Sequence, residues 1–156
     1  RYPVHGHRVP DRLTMSNLLG LSAASKARLT TCHPDLQRVV IHVSAWFPLT
    51  VLYGTRSREE QEKMVAEGKS KLHWPNSKHN SNPSRAVDVA PLKWSHEKGV
   101  YIDWNDWREF SALAGVMITT GRFLGVKIAW GADWDSDWDL DEHSFRDGPH
   151  FELIDE

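Results

Sequence analysis

The sequence predicts an α+β fold, a small antiparallel sheet packed with helices in a single domain over residues 15–156. Three observations predict it. Segments with helical hydrophobic spacing come first, short apolar runs of strand length follow, and long polar loops break them up. The length of 156 residues suits one domain, and a chain of this size hides roughly 68–70% of its unfolded surface, enough for a true core. The one cysteine, Cys32, excludes an internal disulfide framework and a four-cysteine metal site.

The elements follow in order. Residues 1–14 (RYPVHGHRVPDRLT) show no helical or strand period and lack the apolar centre of a secretory signal. They read as a disordered leader or the remainder of an upstream segment, with Met15 as the natural start. Residues 22–30 predict a short helix. Residues 34–47 predict a second, with Pro34 in its first turn and Leu36, Val39, Val40, Val43 and Trp46 at helical spacing. Residues 49–53 predict a strand. Ser57 followed by Glu60 forms a capping box that opens a helix ending near Gly68. Residues 69–84 are polar and turn-rich, and residues 86–90 (AVDVA) form a strand stopped by Pro91. The longest helix spans 104–123, with Trp107, Phe110, Leu113, Ala114, Met117 and Leu124 on one face as a core stripe. Residues 126–130 and 150–154 are strands, and 131–146 form an acidic loop between them.

Composition and charge exclude several classes of function. Nineteen basic against twenty-one acidic residues leave a net charge of −2, with no polybasic run, so neither nucleic acid nor anionic lipid is held by bulk charge. No stretch reaches the 18 or more apolar residues of a membrane span, so direct membrane insertion is not expected. No glycine-rich phosphate loop follows a strand.

The chemistry lies in two short segments. In Ser77-Lys78-His79-Asn80-Ser81-Asn82-Pro83-Ser84-Arg85-Ala86-Val87-Asp88, the loop before Ala86 can fold back and bring His79 beside Asp88. Asp88 stands between Val87 and Val89 in a strand, where an unpaired buried charge is very costly, so it is either exposed on one face or held by a cation. In Asp147-Gly148-Pro149-His150, the Gly-Pro turn can present Asp147 and His150 to one point. Zinc hydrolases need three nitrogen or carboxylate ligands, an open position for water and a neighbouring carboxylate to move the proton.

These segments resemble the M15 zinc peptidases, which include D,D-carboxypeptidases, D,D-dipeptidases and phage L-alanyl-D-glutamate endolysins. The family's Ser-x-His … Ala-x-Asp segment is matched by Ser77, His79, Ala86 and Asp88, and its acid-x-x-His segment by Asp147 and His150. An upstream Gly-x-Arg-x-x-x-x-Gln element is matched by Gly54, Arg56 and Gln61. The wording SKHN…PSRAVDVAP and PHFEL is similar to the phage endolysin branch. One departure is the spacing of nine from His79 to Asp88, with Pro83-Ser84 where many members have seven and a Gly, a loop variant of the subfamily.

The resemblance implies that His79, Asp88 and His150 bind Zn2+ with water as the fourth ligand. It makes Asp147 the general base, then the acid that protonates the leaving amine. Arg56 would bind a substrate carboxylate or the developing oxyanion; its alternative is a surface Arg at a helix start. Ser77 would steady the substrate or the metal site, or be a plain loop residue. Gln61 is expected to sit on a helix face. Asp133, Asp135 and Asp137 are a candidate Ca2+ site, since oxygen-rich loops favour calcium, although the glycine and glutamate of an EF-hand loop are missing. The alternative is a solvated acidic loop. Trp74, Trp94, Trp130, Trp134 and Trp138 either line a groove for a sugar-peptide polymer or pack as anchors. Of the remaining histidines only His143 lies close to the proposed site in sequence.

The implied function is that of a zinc metallopeptidase cutting the stem peptide of bacterial peptidoglycan at the L-Ala–D-Glu bond, as a monomeric phage endolysin. Without an export signal it would accumulate in the host cytoplasm before release to the wall. The alternatives are a D,D-carboxypeptidase removing terminal D-Ala and a non-catalytic zinc-containing wall-binding protein. An HNH-type nuclease is suggested only by His79-Asn80 and lacks a basic surface.

Overall fold

The computed structural model describes residues 19–135, 137, 139 and 146–154. Helices α1 (Ala23–Leu29) and α2 (Pro34–Ser44) lead into strand β1 (Leu49–Tyr53), followed by α3 (Arg58–Ala66) and a single 3-10 turn (Lys78–Asn80). Strand β2 (Ala86–Pro91), a hairpin of β3 (Lys93–Ser95) and β4 (Gly99–Tyr101), helix α4 (Trp107–Phe123), β5 (Ile128–Trp130) and β6 (His150–Leu153) complete the order. The leader assigned to residues 1–14, together with Trp138 and His143, lies outside the described residues.

Local signals set the helix starts. Ser22 accepts a hydrogen bond from the Ser25 amide and caps α1. Ser57 and Glu60 form the reciprocal capping box of α3. Pro34 begins α2, where its missing N–H is no loss. That helix stops at Ser44, earlier than the spacing implied, so Trp46 lies beyond it and is 59% exposed rather than on the core stripe. Helix α4 begins at Trp107, and Trp107 itself is partly exposed at its open end.

Four strands form an antiparallel sheet in the order β1-β2-β6-β5. The expected α+β class and small antiparallel sheet are therefore the observed ones. The hairpin β3–β4 goes beyond the sequence reading: three-residue strands are too short to show a period, and Gly99, at φ 66°, supplies its turn.

The core lies between the sheet and helices α2 and α4. Leu36, Val39, Val40 and Val43 of α2, Phe110, Leu113, Ala114 and Met117 of α4, and Val51, Val87, Val89 and Phe151 of the sheet are all buried in it. Strand β2 is buried along its whole length, on both faces. Side chains alternate across a strand, so while Val87 and Val89 enter the core, Asp88 points to the opposite face. That face carries the site.

Candidate metal centre and catalytic cleft

Register brings the first two groups together. Asp88 on β2 is paired directly with His150 on β6, and directly opposed residues on neighbouring antiparallel strands have Cβ atoms about 4.5–5.5 Å apart on one face. His79 comes from the 3-10 turn, whose loop is stitched to the strands: the Arg56 amide donates to the His79 carbonyl (2.9 Å) and the Arg85 amide to the Lys78 carbonyl (3.0 Å). The nine-residue spacing is thus closed by a loop that folds back. Ser77 caps the turn, its hydroxyl accepting from the His79 amide, and its own amide donates to Asn80.

Three donor atoms then meet. His79 Nε2 is 3.1 Å from Asp88 Oδ1 and 3.2 Å from His150 Nδ1, which is itself 3.2 Å from Asp88 Oδ1. His79, Asp88 and His150 are all buried. The far nitrogen of each imidazole is occupied: His79 Nδ1 donates to the Gly54 carbonyl (2.6 Å), and His150 Nε2 donates to Glu152 Oε2 (3.0 Å). Those bonds leave the inner nitrogens as lone-pair donors beside a carboxylate oxygen. Three acceptors facing one another in a buried triangle require a cation.

The size of the triangle fits one. A tetrahedral ion with ligand bonds of about 2.0–2.1 Å places neighbouring ligands about 3.3 Å apart, close to the three observed separations. The second oxygen of Asp88 is held by the buried guanidinium of Arg56, which orients the carboxylate. His79, Asp88 and His150 therefore form a triad able to bind a metal ion.

Without a metal, the same triangle captures a proton. Burial opposes charge on His150, but hydrogen bonds to Asp88 and Glu152 and the field of Asp88 outweigh it and lift its pKa to about 9. Burial pushes the pKa of His79 down. For Asp88, burial favours the neutral acid, yet His79, His150 and Arg56 together hold the carboxyl well below its usual range.

A cleft of about 470 Å3 opens beside the triad, lined by Arg56, Ser77, Asp147, His150 and Trp134 among others. The turn before β6 sets Asp147 in the lining of this cleft. The Asp147 amide donates to the Gly131 carbonyl (2.8 Å), and the His150 amide to the Asp147 carbonyl (3.1 Å). This approach demands glycine at 131, where a Cβ would lie 2.7 Å from the Asp147 carbonyl oxygen and 2.8 Å from His150 Cβ. Likewise, a Cβ on Gly54 would lie 2.6 Å from the Arg28 carbonyl oxygen. Half-buried Asp147 has its pKa raised to about 6, chiefly by burial and then by the Asp88 charge. It is a carboxylate tuned towards neutrality, beside a metal triad and open to a cleft.

The other predicted residues divide. Arg56 is buried, not a surface residue; its guanidinium lies 5.0 Å over the Tyr53 ring, and its Nε has no hydrogen-bond partner among the described residues. Trp134 lines the cleft with its ring 5.5 Å from that of His150. Trp130 is instead a core residue whose Nε1 donates to the Gly148 carbonyl (2.8 Å), fixing the turn after Asp147. Trp74 and Trp94 do not line the cleft. Asp133, Asp135 and Asp137 do converge, with carboxylate oxygens within 4.8 Å of one another, and Asp133 is buried.

Two positions beside the triad escaped the sequence reading. Glu152 is two residues after His150, and the strand period of two puts both side chains on one face, a signal that was available. Lys78 supports it, its Nζ lying 3.2 Å from Glu152 Oε1 and donating to the Leu153 carbonyl.

Comparison with known proteins agrees with this geometry. A protein-family model described as phage L-alanyl-D-glutamate peptidase matches residues 17–154. The chain is 34% identical over 136 residues to the L-alanyl-D-glutamate peptidase of Escherichia phage T5, covering 83% of this chain and 94% of that one. Its fold is similar to the crystal structure of the Serratia marcescens L-Ala D-Glu endopeptidase ChiX, with a TM-score of 0.66, 29% identity and coverage of 88% of this chain and 91% of that one. On the family match and on an identity of 34% that spans most of both chains, this chain belongs to the phage L-alanyl-D-glutamate peptidase family.

Proposed function

We propose that the protein is a zinc-dependent endopeptidase that hydrolyses the L-Ala–D-Glu bond of the peptidoglycan stem peptide, and that it serves as a phage endolysin. The observation that carries the reading is the meeting of His79, Asp88 and His150 in one buried triangle with Asp147 in the adjoining cleft. Two imidazoles and one carboxylate are a donor set that suits zinc. Zinc, when bound there, supplies Lewis acidity and lowers the pKa of a coordinated water towards about 7.

The remaining steps belong to the chain. A carboxylate oxygen of Asp147 accepts a proton from the attacking water as its oxygen bonds to the L-Ala carbonyl carbon. The carbon–nitrogen bond then breaks, and Asp147 returns that proton to the leaving D-Glu nitrogen. A carboxyl pKa near 6 suits both tasks better than an ordinary aspartate would. Arg56, fixed by Asp88 and bordering the cleft, offers guanidinium donors to the developing oxyanion. Ser77 shapes the turn that presents His79 and borders the substrate.

The enzyme acts as a monomer, collects in the host cytoplasm and reaches the wall once the membrane has been opened. No described helix is long and apolar enough to cross a membrane. The carboxylates of Asp133, Asp135 and Asp137 suit a Ca2+ ion in the loop leading to the cleft; calorimetry showing no calcium uptake by the folded protein would remove that site from the account.

The test of the main reading is mass spectrometry of purified muropeptides digested by the zinc-loaded protein and by Asp147→Ala. A new N-terminal D-Glu is expected from the wild type and its near-absence from the variant. Release of free D-Ala from a pentapeptide would mark a D,D-carboxypeptidase instead. Intact stem peptides throughout would leave only wall binding.

A further inference from the structure

The cleft has a second wall that the mechanism does not use. Lys69, Ser70, Lys71 and Leu72, the loop that follows α3, line it together with His150 and Trp134. This loop is exposed, yet it is tied to a buried group. Gln61 on α3 is fully buried, and its Nε2 donates to the Leu72 carbonyl (2.6 Å) and to Ser70 Oγ (3.0 Å). The Lys69 and Ser70 amides both donate to the Met64 carbonyl, the end of the same helix. With Ser70 turned towards Gln61, Lys69 and Lys71 flank it in the lining of the cleft. Lys69 is exposed and its Nζ donates to Glu67 Oε2 (2.7 Å), a surface pair weak enough for a substrate carboxylate to displace. The helix that holds this wall also begins just after Arg56, so one short element supports both sides of the site.

The substrate makes a demand that such a wall meets. Glutamate has two carboxyl groups, and onward linkage of the peptide uses one, so the residue whose nitrogen is released keeps a free carboxylate. Near the triad the cleft carries the carboxylates of Asp147 and Glu152, and the cations beside them, Arg56 and Lys78, are already paired with Asp88 and Glu152. We infer that loop 69–72 is the specificity wall of the enzyme. Lys69 and Lys71 receive the free carboxylate of the leaving glutamate, and Gln61 is the positioning residue that holds them in place. The inference rests on the peptidase reading above.

The test compares two stem peptides, one with that carboxylate free and one with it converted to the amide. The wild type prefers the free acid. Lys69→Gln/Lys71→Gln together lower this preference by about three- to tenfold, through KM, as expected for partly exposed charge pairs. Turnover of the amide peptide changes by less than about twofold in the same variant, which also verifies that the variant is folded. Gln61→Met lowers the preference while metal affinity stays unchanged, a pattern that general unfolding would not give. A preference retained in the double lysine variant overturns the inference, as does a wild type indifferent to the amide. Cleavage of neither peptide by the wild type overturns the peptidase reading itself, and the inference with it.

Discussion

Replacing Asp88 by Asn separates the two tasks of this carboxylate. Its Oδ1 faces the two histidine nitrogens at 3.1 and 3.2 Å, while its Oδ2 is paired with Arg56, and both residues are almost fully buried. Asparagine keeps the shape but removes the charge, so the Arg56 guanidinium is left uncompensated and an amide N–H₂ faces it. Losing one partner of a buried ion pair costs about 3–5 kcal/mol. Arg56 borders the cleft and can relax towards water, so the low end, about 3 kcal/mol, is the expectation for the metal-free protein. At roughly 2–4 °C per kcal/mol for this size, the melting temperature falls by about 6–12 °C. The carboxyl is held well below its usual range, so its contribution is complete above the unfolded pKa of about 3.9 and fades as pH falls through the folded value. Asp88 also helps lift the His150 pKa to about 9, a gain complete below the unfolded value of about 6.5 and lost as pH rises through 9. The gap between the two proteins should therefore be widest at about pH 5–6, narrow towards about pH 9 and close in strong acid. Thermal unfolding with chelator present measures it, and metal titration of the same samples measures the loss of the ligand charge. A variant that melts within about 2 °C of wild type in chelator and keeps its metal affinity would refute the placement of Asp88 between Arg56 and the triad.

Further predictions follow from the same geometry. Glu152→Ala removes the acceptor that sets the His150 tautomer and should weaken metal binding by about 10–100-fold, whereas Glu152→Gln, which keeps an acceptor oxygen, should recover most of it in a chelator-competition assay. Metal binding must displace the proton that His150 holds below its pKa of about 9, so calorimetry in buffers of different ionisation enthalpy should detect release of about one proton at pH 7, and none if the site is unprotonated. Asp147 works as a base only when ionised, and a bound cation can only lower its pKa from about 6; the acid limb of the rate should have its midpoint no higher than that. Asp147→Asn should reduce kcat by about 10²–10⁴-fold with metal content unchanged. Gly131→Ala places a methyl 2.7 Å from the Asp147 carbonyl oxygen, and should cost about 1–3 kcal/mol in denaturant unfolding and lower kcat as Asp147 shifts.

Much of this was legible along the chain, because the signals were local. Helix starts were written in Ser22, Pro34 and the Ser57–Glu60 box, and the strands of the main sheet in short apolar runs. Asp88 between two valines was legible as a carboxylate either exposed on one face or held by a cation, since a buried carboxylate cannot stand alone. His79 and His150 were legible as its companions only through the ordered motifs of the family.

Other features depend on groups distant in sequence and could not be read from any window. The cross-strand register that sets Asp88 against His150, the Arg56 bond to Asp88, and the Gln61 latch on the 70–72 loop are all of this kind. Arg56 was legible as a contact to a substrate carboxylate or oxyanion only through the family motif, and Gln61 looked like an ordinary helix-face residue; their burial was not legible in the sequence. Among the described residues, the tryptophans were separated only by packing: Trp130 went to the core and Trp134 to the cleft. Residue types and local spacing thus determined which chemistry the chain carries and which elements bear it. Where those elements cross, and so which donors share one buried point, was decided by the folding of the sheet, because hydrophobic burial sets the strand register and the register carries the polar groups with it.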